Sequence, residues 1–288
     1  MKKQQLVLVA ISLVIFAGLY FGGRTVPVKT GTTSDSTHSA NDGHDHGNEK
    51  IDFRKNILAE AMSKISAEQA QRITALENSV IRGNIKEQQI HVFHQLARFW
   101  KDSANVFEPY AYYTSEASKL ENSEKSLTFA ARLFLDRLMV SGEPAMQNWL
   151  ASNAKVLLES ALKINPANDS SKIGLGACYI FGNLSSNPME GITPVREVVQ
   201  RNPGNVYGQM VLGLGGKKSG QLDKAIERFQ AVLKADPLNV EAVFHIAESY
   251  ELKGDKANAI AYYEKAVKMV NIPEAKEELN KRIIELRK

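Results

Sequence analysis

The chain has 288 residues, of which 43% are hydrophobic and 24% charged, the composition of an ordinary globular protein. Its 36 lysines and arginines against 32 aspartates and glutamates give a net charge of +4, spread along the chain without a dense basic block, which argues against a nucleic-acid binder. The single cysteine, Cys178, excludes an intrachain disulfide framework and a cysteine zinc site, and it is expected to be a small buried hydrophobe.

The N-terminal segment is predicted to lie outside the globular fold. Residues 6–21 form an unbroken run of uncharged, mostly apolar residues, and with Gly22 and Gly23 the run reaches 18 residues, or about 27 Å of helix. Lys2 and Lys3 precede it, as in a signal peptide or at the cytoplasmic end of an anchor. No clear small-x-small cleavage site follows, so the sequence favours an uncleaved transmembrane helix over residues 1–23. In a bacterium-like context the folded part is then expected on the periplasmic side of the inner membrane.

Residues 24–50 are predicted to be a flexible tether. Their composition collapses to Thr, Ser, Gly, Asn and Asp, and such a stretch buries too little apolar surface to fold. The tether also contains five side chains of the types that bind zinc, copper or nickel, namely His38, Asp42, His44, Asp45 and His46. A flexible run must lose chain entropy to close around an ion, so a solvated linker is favoured over a metal site. A metal-handling protein that uses this tether is the rival function from a different class.

From residue 51 onward apolar residues recur at helical spacing to the end of the chain, and no alternating strand pattern is convincing. Residues 51–168 are predicted to be a divergent helical region. Within it, Ser66 and Gln69 form a predicted capping box, and Gly83 and Asn84 mark a break. Its apolar helix faces consist of Ile57, Ala61 and Ile65; Ile73, Leu76 and Val80; Ile90, Phe93, Leu96, Ala97 and Trp100; Leu127, Ala130, Ala131 and Phe134; and Trp149, Leu150, Ala154, Leu158 and Ala161.

The segment from residue 204 to residue 271 repeats one pattern with a period of 34 residues. A fixed period of this length indicates stacked helical hairpins, in which each unit covers the apolar stripe of the next. An earlier unit closes at Pro203, and the 37 residues from Pro166 to Pro203 predict an insertion in the turn around residues 185–189. The markers Leu212, Gly213, Gly220, Ala225, Phe229 and Pro237 recur as Ile246, Ala247, Gly254, Ala259, Tyr263 and Asn271.

These markers resemble the tetratricopeptide repeat family. The family pattern is carried by Ile246, Ala247, Tyr250, Ala259, Tyr263 and Ala266, and one unit earlier by Leu212, Gly213, Ala225, Phe229 and Pro237. Gly216 replaces the usual tyrosine, and Asn271 replaces the usual proline. The resemblance implies an all-α fold, an α-solenoid of antiparallel helix pairs with repeats over residues 169–273. Residues 274–288 are predicted to be a capping helix whose apolar stripe consists of Leu279, Ile283, Ile284 and Leu286.

No constellation of catalytic residues is found, so the sequence predicts no enzyme, no cofactor, no metal site and no small-molecule substrate. Residues 213–219 imitate a phosphate-binding loop, but Lys217 stands where that motif needs glycine, so a glycine-rich helix is predicted instead. His91 and His94 lie three apart on one predicted helix without a third ligand nearby. His245 is predicted to be a helix surface residue. An aromatic cluster is predicted to be core and groove wall, namely Tyr110, Tyr112 and Tyr113.

The resemblance implies a membrane-tethered scaffold that binds a protein or peptide in a concave groove and thereby assembles or positions an envelope complex. An assembly factor for cytochrome c or other envelope complexes is the alternative. The family lines its groove with the first helices of the repeats, and the corresponding positions here are Ile173, Ala177, Ile180, Phe181, Tyr207, Met210, Leu214, Lys217, Phe244 and Glu248.

The predicted groove is mainly apolar. Met210, Leu214 and Glu248 stand where the family's carboxylate clamp needs lysine and asparagine, so an acidic C-terminal tail is not the expected ligand. The groove is predicted to hold a partner helix or peptide, or else the chain's own N-terminal helices.

Overall fold

The computed structural model describes the backbone of residues 47–82 and 85–288, and the side chains of residues 55–80 and 85–288. The predicted anchor over residues 1–23, the five candidate metal ligands of the tether and the predicted break at Gly83 and Asn84 lie outside the described residues. Across the described ranges, each helix is too short or too polar to span a bilayer.

Thirteen α-helices make up the described chain, which is an all-α solenoid as the sequence predicts. They are α1 (Gly47–Met62), α2 (Ala67–Arg82), α3 (Lys86–Arg98), α4 (Phe107–Glu121), α5 (Glu124–Leu138), α6 (Pro144–Ile164), α7 (Asp169–Phe181), α8 (Met189–Arg201), α9 (Val206–Lys218), α10 (Leu222–Ala235), α11 (Val240–Leu252), α12 (Lys256–Met269) and α13 (Pro273–Leu286). A π-helical turn, Phe99–Ala104, follows α3. Helix α1 begins at Gly47, within residues 24–50, the segment predicted to be a tether.

Consecutive helices pair into hairpins, and the hairpins stack. Helix α5 packs with α6, α7 with α8, α9 with α10 and α11 with α12, and the second helix of each hairpin packs on the first helix of the next. We call α5, α7, α9 and α11 the first helices and α6, α8, α10 and α12 the second helices. First helices also touch each other, α5 with α7 and α7 with α9. The turn from α7 to α8 is longer than the turn from α9 to α10, which confirms the predicted insertion.

The residues that recur every 34 positions form close helix–helix contacts within the hairpins. Ala225 and Ala259 have no exposed surface, and the rings of Phe229 and Tyr263 are buried in the same clusters. A Cβ atom at Gly213 would lie 2.5 Å from the Phe229 ring, so only glycine fits there without a shift. Small residues at these places let two helices approach closely. The burial pattern confirms the predicted repeat register.

Asparagine caps precede the repeated first helices, and glycine turns follow two of them. Gly220 and Gly254 have φ angles of +73° and +79° in the turns after α9 and α11, a region in which other residues are strained. Asn168, Asn205 and Asn239 precede α7, α9 and α11, and each side-chain oxygen accepts a hydrogen bond from the backbone N–H three residues later. The 34-residue recurrence identified Gly220 and Gly254 as repeat markers without assigning them to turns, and the asparagine caps were missed because they lie outside the apolar pattern.

The N-terminal helices have their own core. Ser66 and Gln69 exchange backbone-to-side-chain hydrogen bonds of 3.0 and 3.2 Å, which confirms the predicted capping box. Trp100 is buried with Tyr112 and Tyr113 in one cluster, so the aromatic residues are core as predicted. The main packing partners of α1 are α4 and α6. Because these partners do not include α7, α9 or α11, the structure favours a binding face on those three helices that the N-terminal helices do not cover.

The C-terminal helix covers the end of the last hairpin. Leu279 and Ile283 of α13 are buried against it. Ile284, predicted to lie on the same stripe, is 57% exposed, because a helix turns by about 100° per residue and Ile283 already faces the core. Arg282 donates to Glu251 of α11, and that carboxylate also accepts from the Tyr263 hydroxyl of α12. Helix α13 is therefore held by both apolar and charged contacts.

Candidate functional site

Six of the ten predicted groove residues remain partly accessible, and they lie on three successive first helices. We call them the first-helix face; they are Ile180, Tyr207, Leu214, Lys217, Phe244 and Glu248. The other four belong to the core. Ile173 and Ala177 have no exposed surface, and Phe181 and Met210 are each 8% exposed. The part of the predicted groove formed by these four residues is covered by the protein's own packing.

Glycines of α9 explain why Ile173, one of the predicted groove residues, is covered. A Cβ atom at Gly208 would lie 3.4 Å from Cδ1 of Ile173, and one at Gly215 would lie 3.0 Å from Cγ2 of Ile180. Because α9 has no side chain at these two places, its backbone approaches α7 closely. The spacing of residues along the sequence does not report the distance between neighbouring helices, so the sequence could not predict that Ile173 is covered.

Helix α9 is also fixed to the end of α7 by a charge. The Lys218 ammonium lies 3.2 Å from the backbone oxygen of Ile180 and 3.4 Å from that of Phe181, the last carbonyls of α7. A cation at the C-terminus of a helix is favourable because it meets the negative end of the helix dipole. Burial lowers the pKa of Lys218. The sequence predicted a helix over residues 213–219, and α9 indeed continues to Lys218 without a phosphate-binding loop.

The centre of the site is a charged cluster that joins α9 to α11. The Lys217 Nζ atom lies 2.6 Å from Oε2 of Glu248 and 3.2 Å from Nδ1 of His245. The same His245 nitrogen lies 2.9 Å from Oε2 of Glu248. On the opposite edge of the imidazole, Nε2 lies 3.7 Å from Oε1 of Glu241. We call Lys217, His245 and Glu248 the proton cluster.

His245 differs from its prediction as a surface residue. Its side chain is only 16% exposed and lies between the Phe229 ring, with centroids 5.3 Å apart, and the Phe244 ring, at 5.8 Å. Its contacts Phe229 and Lys217 are 16 and 28 residues away in sequence. The available signal was the spacing of Glu241 and Glu248, four residues before and three after His245, which places both carboxylates on its side of the helix.

The part of the chain that contains the proton cluster matches a known family. Residues 217–275 match the family model described as tetratricopeptide repeat. This segment is therefore similar to a tetratricopeptide repeat. The match covers α10, α11 and α12 completely, so it includes the hairpin that carries His245 and Glu248.

Longer relatives share a larger part of the chain. Cellulose synthase operon protein C of Escherichia coli K12 is 40% identical over 148 residues, which are 51% of this chain and 13% of that protein. The putative protein of the same name from Escherichia coli O157:H7 matches equally. The chain therefore spans about 13% of the length of these relatives, and the match concerns one segment of a much larger protein.

Solved structures give a more distant likeness. TTC0263, a tetratricopeptide repeat protein of Thermus thermophilus, is 16% identical, with 70% of this chain and 98% of that chain covered and a TM-score of 0.49. YrrB, described as a tetratricopeptide repeat protein with an unusual peptide-binding site, is 18% identical, with coverage of 72% and 98% and a TM-score of 0.41. MamA from Desulfovibrio magneticus RS-1 is 18% identical, with coverage of 62% and 94% and a TM-score of 0.42. These values give no basis for transferring details to this chain.

Burial and hydrogen bonding set the ionisation of His245, Glu248 and Tyr207. Burial lowers the pKa of His245, but its contacts with Glu241 and Glu248 outweigh burial, so the net pKa is raised. Burial raises the pKa of Glu248, but the hydrogen bond with His245 and the charge of Lys217 outweigh it and hold the pKa below its usual range. Burial also raises the pKa of Tyr207. At neutral pH the site therefore presents the Glu248 carboxylate and the neutral Tyr207 phenol.

The other residues with possible chemical roles, His91, His94 and Cys178, are held by contacts within the fold. Within residues 55–80 and 85–288, no group of three or more His, Cys, Asp or Glu side chains is placed to hold a metal ion. His94 pairs with Glu121 at 2.7 Å, and His91 lies 3.1 Å from Gln95. Cys178 is fully buried, as predicted, and burial raises the pKa of its thiol to about 12, which removes the thiolate that a reactive cysteine needs.

Proposed function

We propose that the chain is a non-enzymatic scaffold that holds a protein or peptide partner on the first-helix face. The observation that carries the proposal is the set of partly accessible side chains on three successive first helices, which combines four apolar or aromatic groups with the Lys217–Glu248 pair. Tetratricopeptide repeats are stacked units whose extended surfaces serve binding, which supports the same interpretation.

The chemistry of the first-helix face suits a partner helix or an extended peptide. Tyr207 and Phe244 supply aromatic surface, and Ile180 and Leu214 supply aliphatic surface. Aromatic side chains dominate the binding energy of many interfaces because they bury a large area at a small entropic cost. Glu248 and Lys217 provide polar contacts that fix the orientation of the partner. An amphipathic segment with apolar side chains on one face matches this arrangement.

We further propose that the scaffold is tethered to a membrane and positions an envelope complex. The support is the sequence of residues 1–23, which is long and apolar enough for a transmembrane helix, followed by a polar spacer. Lys2 and Lys3 before the apolar run are typical of a cytoplasmic end, which favours an orientation with the solenoid on the periplasmic side. Protease added to spheroplasts is expected to digest the solenoid. Digestion only after lysis would reverse this topology, and a mature N-terminus near residue 24 would show a cleaved signal.

Photocrosslinking tests the binding proposal directly. Benzoylphenylalanine is introduced into the full chain in intact membranes at Tyr207 or Phe244, where it replaces another aromatic residue on the first-helix face. The matched control is Val156, which is 48% exposed on the second helix α6. Both test positions are expected to crosslink to the same polypeptide, and Val156 is not. An equal yield at Val156, or different partners at Tyr207 and Phe244, would contradict the proposal.

A further inference from the structure

Helix α5 carries an exposed stripe of side chains next to the first-helix face. Lys125, Phe129, Arg132 and Asp136 are exposed, and they follow each other at intervals of three or four residues, which places them on one side of the helix. Phe129 is 54% exposed, although phenylalanine is usually buried. The main packing partners of α5 are α4, α6 and α7, and this packing leaves the stripe open to solvent.

The helix caps place this stripe in register with the predicted groove. The Ser123 hydroxyl accepts a hydrogen bond of 3.1 Å from the backbone N–H of Ser126, in the way that the asparagines cap α7, α9 and α11. Counted from these caps, Arg132 stands at the same place on α5 as Leu214 on α9 and Glu248 on α11. Helix α5 therefore has an accessible, charged residue at a groove position.

Side chains of α5 and α9 also lie near each other. Leu133 of α5, Ile180 of α7 and Tyr207 of α9 pack against one buried cluster. Burial is the main cause of the raised pKa of Tyr207, and the charges of Asp136 and Arg132 also act on it, Asp136 raising it and Arg132 lowering it. Because charges act over a short range in salt solution, both side chains lie near the Tyr207 hydroxyl. The stripe of α5 therefore continues the first-helix face.

The α5 end of this extended face is basic. Lys125 and Arg132 stand beside one carboxylate, that of Asp136, which lies 3.7 Å from Nε of Arg132. This distance is too long for a hydrogen bond, and the Arg132 side chain is 80% exposed. A guanidinium has five N–H donors, so Arg132 can bind a carboxylate of a partner while Asp136 keeps its position.

The α11 end of the extended face is acidic. Lys217 pairs with Glu248 at 2.6 Å, whereas the Glu241 side chain is 66% exposed. Contact with His245 lowers the pKa of Glu241, so this carboxylate is ionised at neutral pH. Two carboxylates therefore face one lysine at this end.

We propose that the partner is an amphipathic segment that lies along the first helices from α5 to α11, with its acidic end at Arg132 and its basic end at Glu241. The proposal rests on the proposed function, because it gives the extent and the direction of a partner held on the first-helix face. Phe129 is the apolar anchor position at the α5 end, since exposed aromatic side chains beside an arginine are typical of the residues that dominate interfaces. Complementary charges at the two ends fix the direction of the segment.

The extent of the face sets the length of the segment. Packed helices lie about 8–10 Å apart, so the three steps from α5 to α11 span at least about 25 Å. That distance requires about eight residues of extended chain or about 17 residues of α-helix.

Photocrosslinking from Phe129 in intact membranes tests the extension to α5. Benzoylphenylalanine at Phe129 is expected to crosslink to the polypeptide that Tyr207 and Phe244 capture, with Val156 on α6 again as the control. Mass spectrometry is expected to place the Phe129 contact beside acidic residues of this polypeptide and the Phe244 contact beside basic residues. The reverse order, or no Phe129 product where Tyr207 and Phe244 give one, would overturn the inference and leave the proposed function intact. If Tyr207 and Phe244 give no product, the proposed function fails and the inference with it.

Charge reversal tests the direction of the partner. Arg132→Glu is expected to lower the crosslinking yield from Tyr207 several-fold, because it places a carboxylate opposite the acidic end of the segment. Lys163→Glu makes the same change of charge at an exposed position of the second helix α6 and is expected to leave the yield unchanged. Replacing the mapped acidic residue of the partner by lysine is expected to restore the yield with Arg132→Glu. Circular dichroism confirms that each variant is folded. An equal loss in both variants, or no restoration, would overturn the inference.

Discussion

At the scale of single residues, close packing depends on side chains that are absent or very small. Ala259 is completely buried between α11 and α12, whereas Lys256, one turn earlier on α12, is exposed. The repeat period alone identified Ala259 as a contact position, because a 34-residue recurrence of alanine reflects a recurring close approach. It could not identify His245 as buried, because the Phe229 ring that packs on it belongs to the preceding repeat.

Ala259→Glu is expected to unfold the last repeat. Burying a carboxylate without a partner costs several kcal/mol, or forces the group to bind a proton. Lys256→Glu is the matched control, because it introduces the same side chain at an exposed position of the same helix. Thermal unfolding followed by circular dichroism compares the two variants. Equal melting temperatures would mean that the repeat register is wrong.

The stability contributed by His245 is expected to depend on pH in a defined direction. Because the folded protein raises the pKa of His245, protonation favours the folded state. This contribution is fully present below the unfolded pKa of about 6.5 and is lost as the pH rises through the folded value. His245→Gln is therefore expected to destabilise the protein more at about pH 6 than at about pH 9. Urea unfolding at both pH values measures the difference, and a larger loss at high pH would refute the sign.

At the scale of helices, ends and turns are well predicted from sequence when a local motif fixes them. Ser66 and Gln69 identify the start of α2, because a capping box acts within a few residues, and the 34-residue recurrence marks Gly220 and Gly254, the glycines of two turns. The start of α1 at Gly47 follows no comparable signal, since polar residues there are compatible with either a helix or a linker. The exposure of Ile284 was missed because the predicted apolar stripe of α13 included two consecutive residues, Ile283 and Ile284. Only Ile283 faces the core, since α13 packs on the solenoid with one side.

Arg282 is expected to hold the capping helix in place. Its guanidinium donates to Glu251, whose side chain is only 17% exposed and also binds the Tyr263 hydroxyl. Arg282→Gln leaves this carboxylate short of a cation, at a cost of about 1–3 kcal/mol. Lys281→Gln is the control, because Lys281 pairs with Glu277 on the surface of the same helix. Amide hydrogen exchange in α13 is expected to accelerate in the Arg282 variant and to stay unchanged in the control.

At the scale of the whole molecule, the solenoid is a line of packing units rather than one core. Separate buried clusters surround Trp100, Phe134, Phe229 and Tyr263. Each hairpin contacts mainly its neighbours, so the stability of one unit depends on the unit beside it. The period in the sequence predicts this architecture. The distance between first helices, which decides what the binding face exposes, depends on packing between units and could not be predicted.

A chain that stops after Val270 is expected to lose order from its C-terminal end inward. Without α13, apolar side chains of α11 and α12 such as Val243 and Tyr263 lose their cover. Hydrogen exchange is expected to accelerate in α11 and α12, while α5 and α6 keep their protection because they lie in another cluster. Equal acceleration throughout the chain would show instead that the solenoid unfolds as a single cooperative unit.

The glycines that bring α9 close to its neighbours also lower its intrinsic stability as a helix. Gly208, Gly213, Gly215 and Gly216 occupy four of its 13 positions. Since each costs about 1 kcal/mol of helix stability relative to alanine, α9 relies on packing with α7, α8 and α10 to remain helical. Bending of the superhelix should concentrate here. A partner that spans Ile180 on α7 and Phe244 on α11 lies across α9, and its binding would restrict this bending.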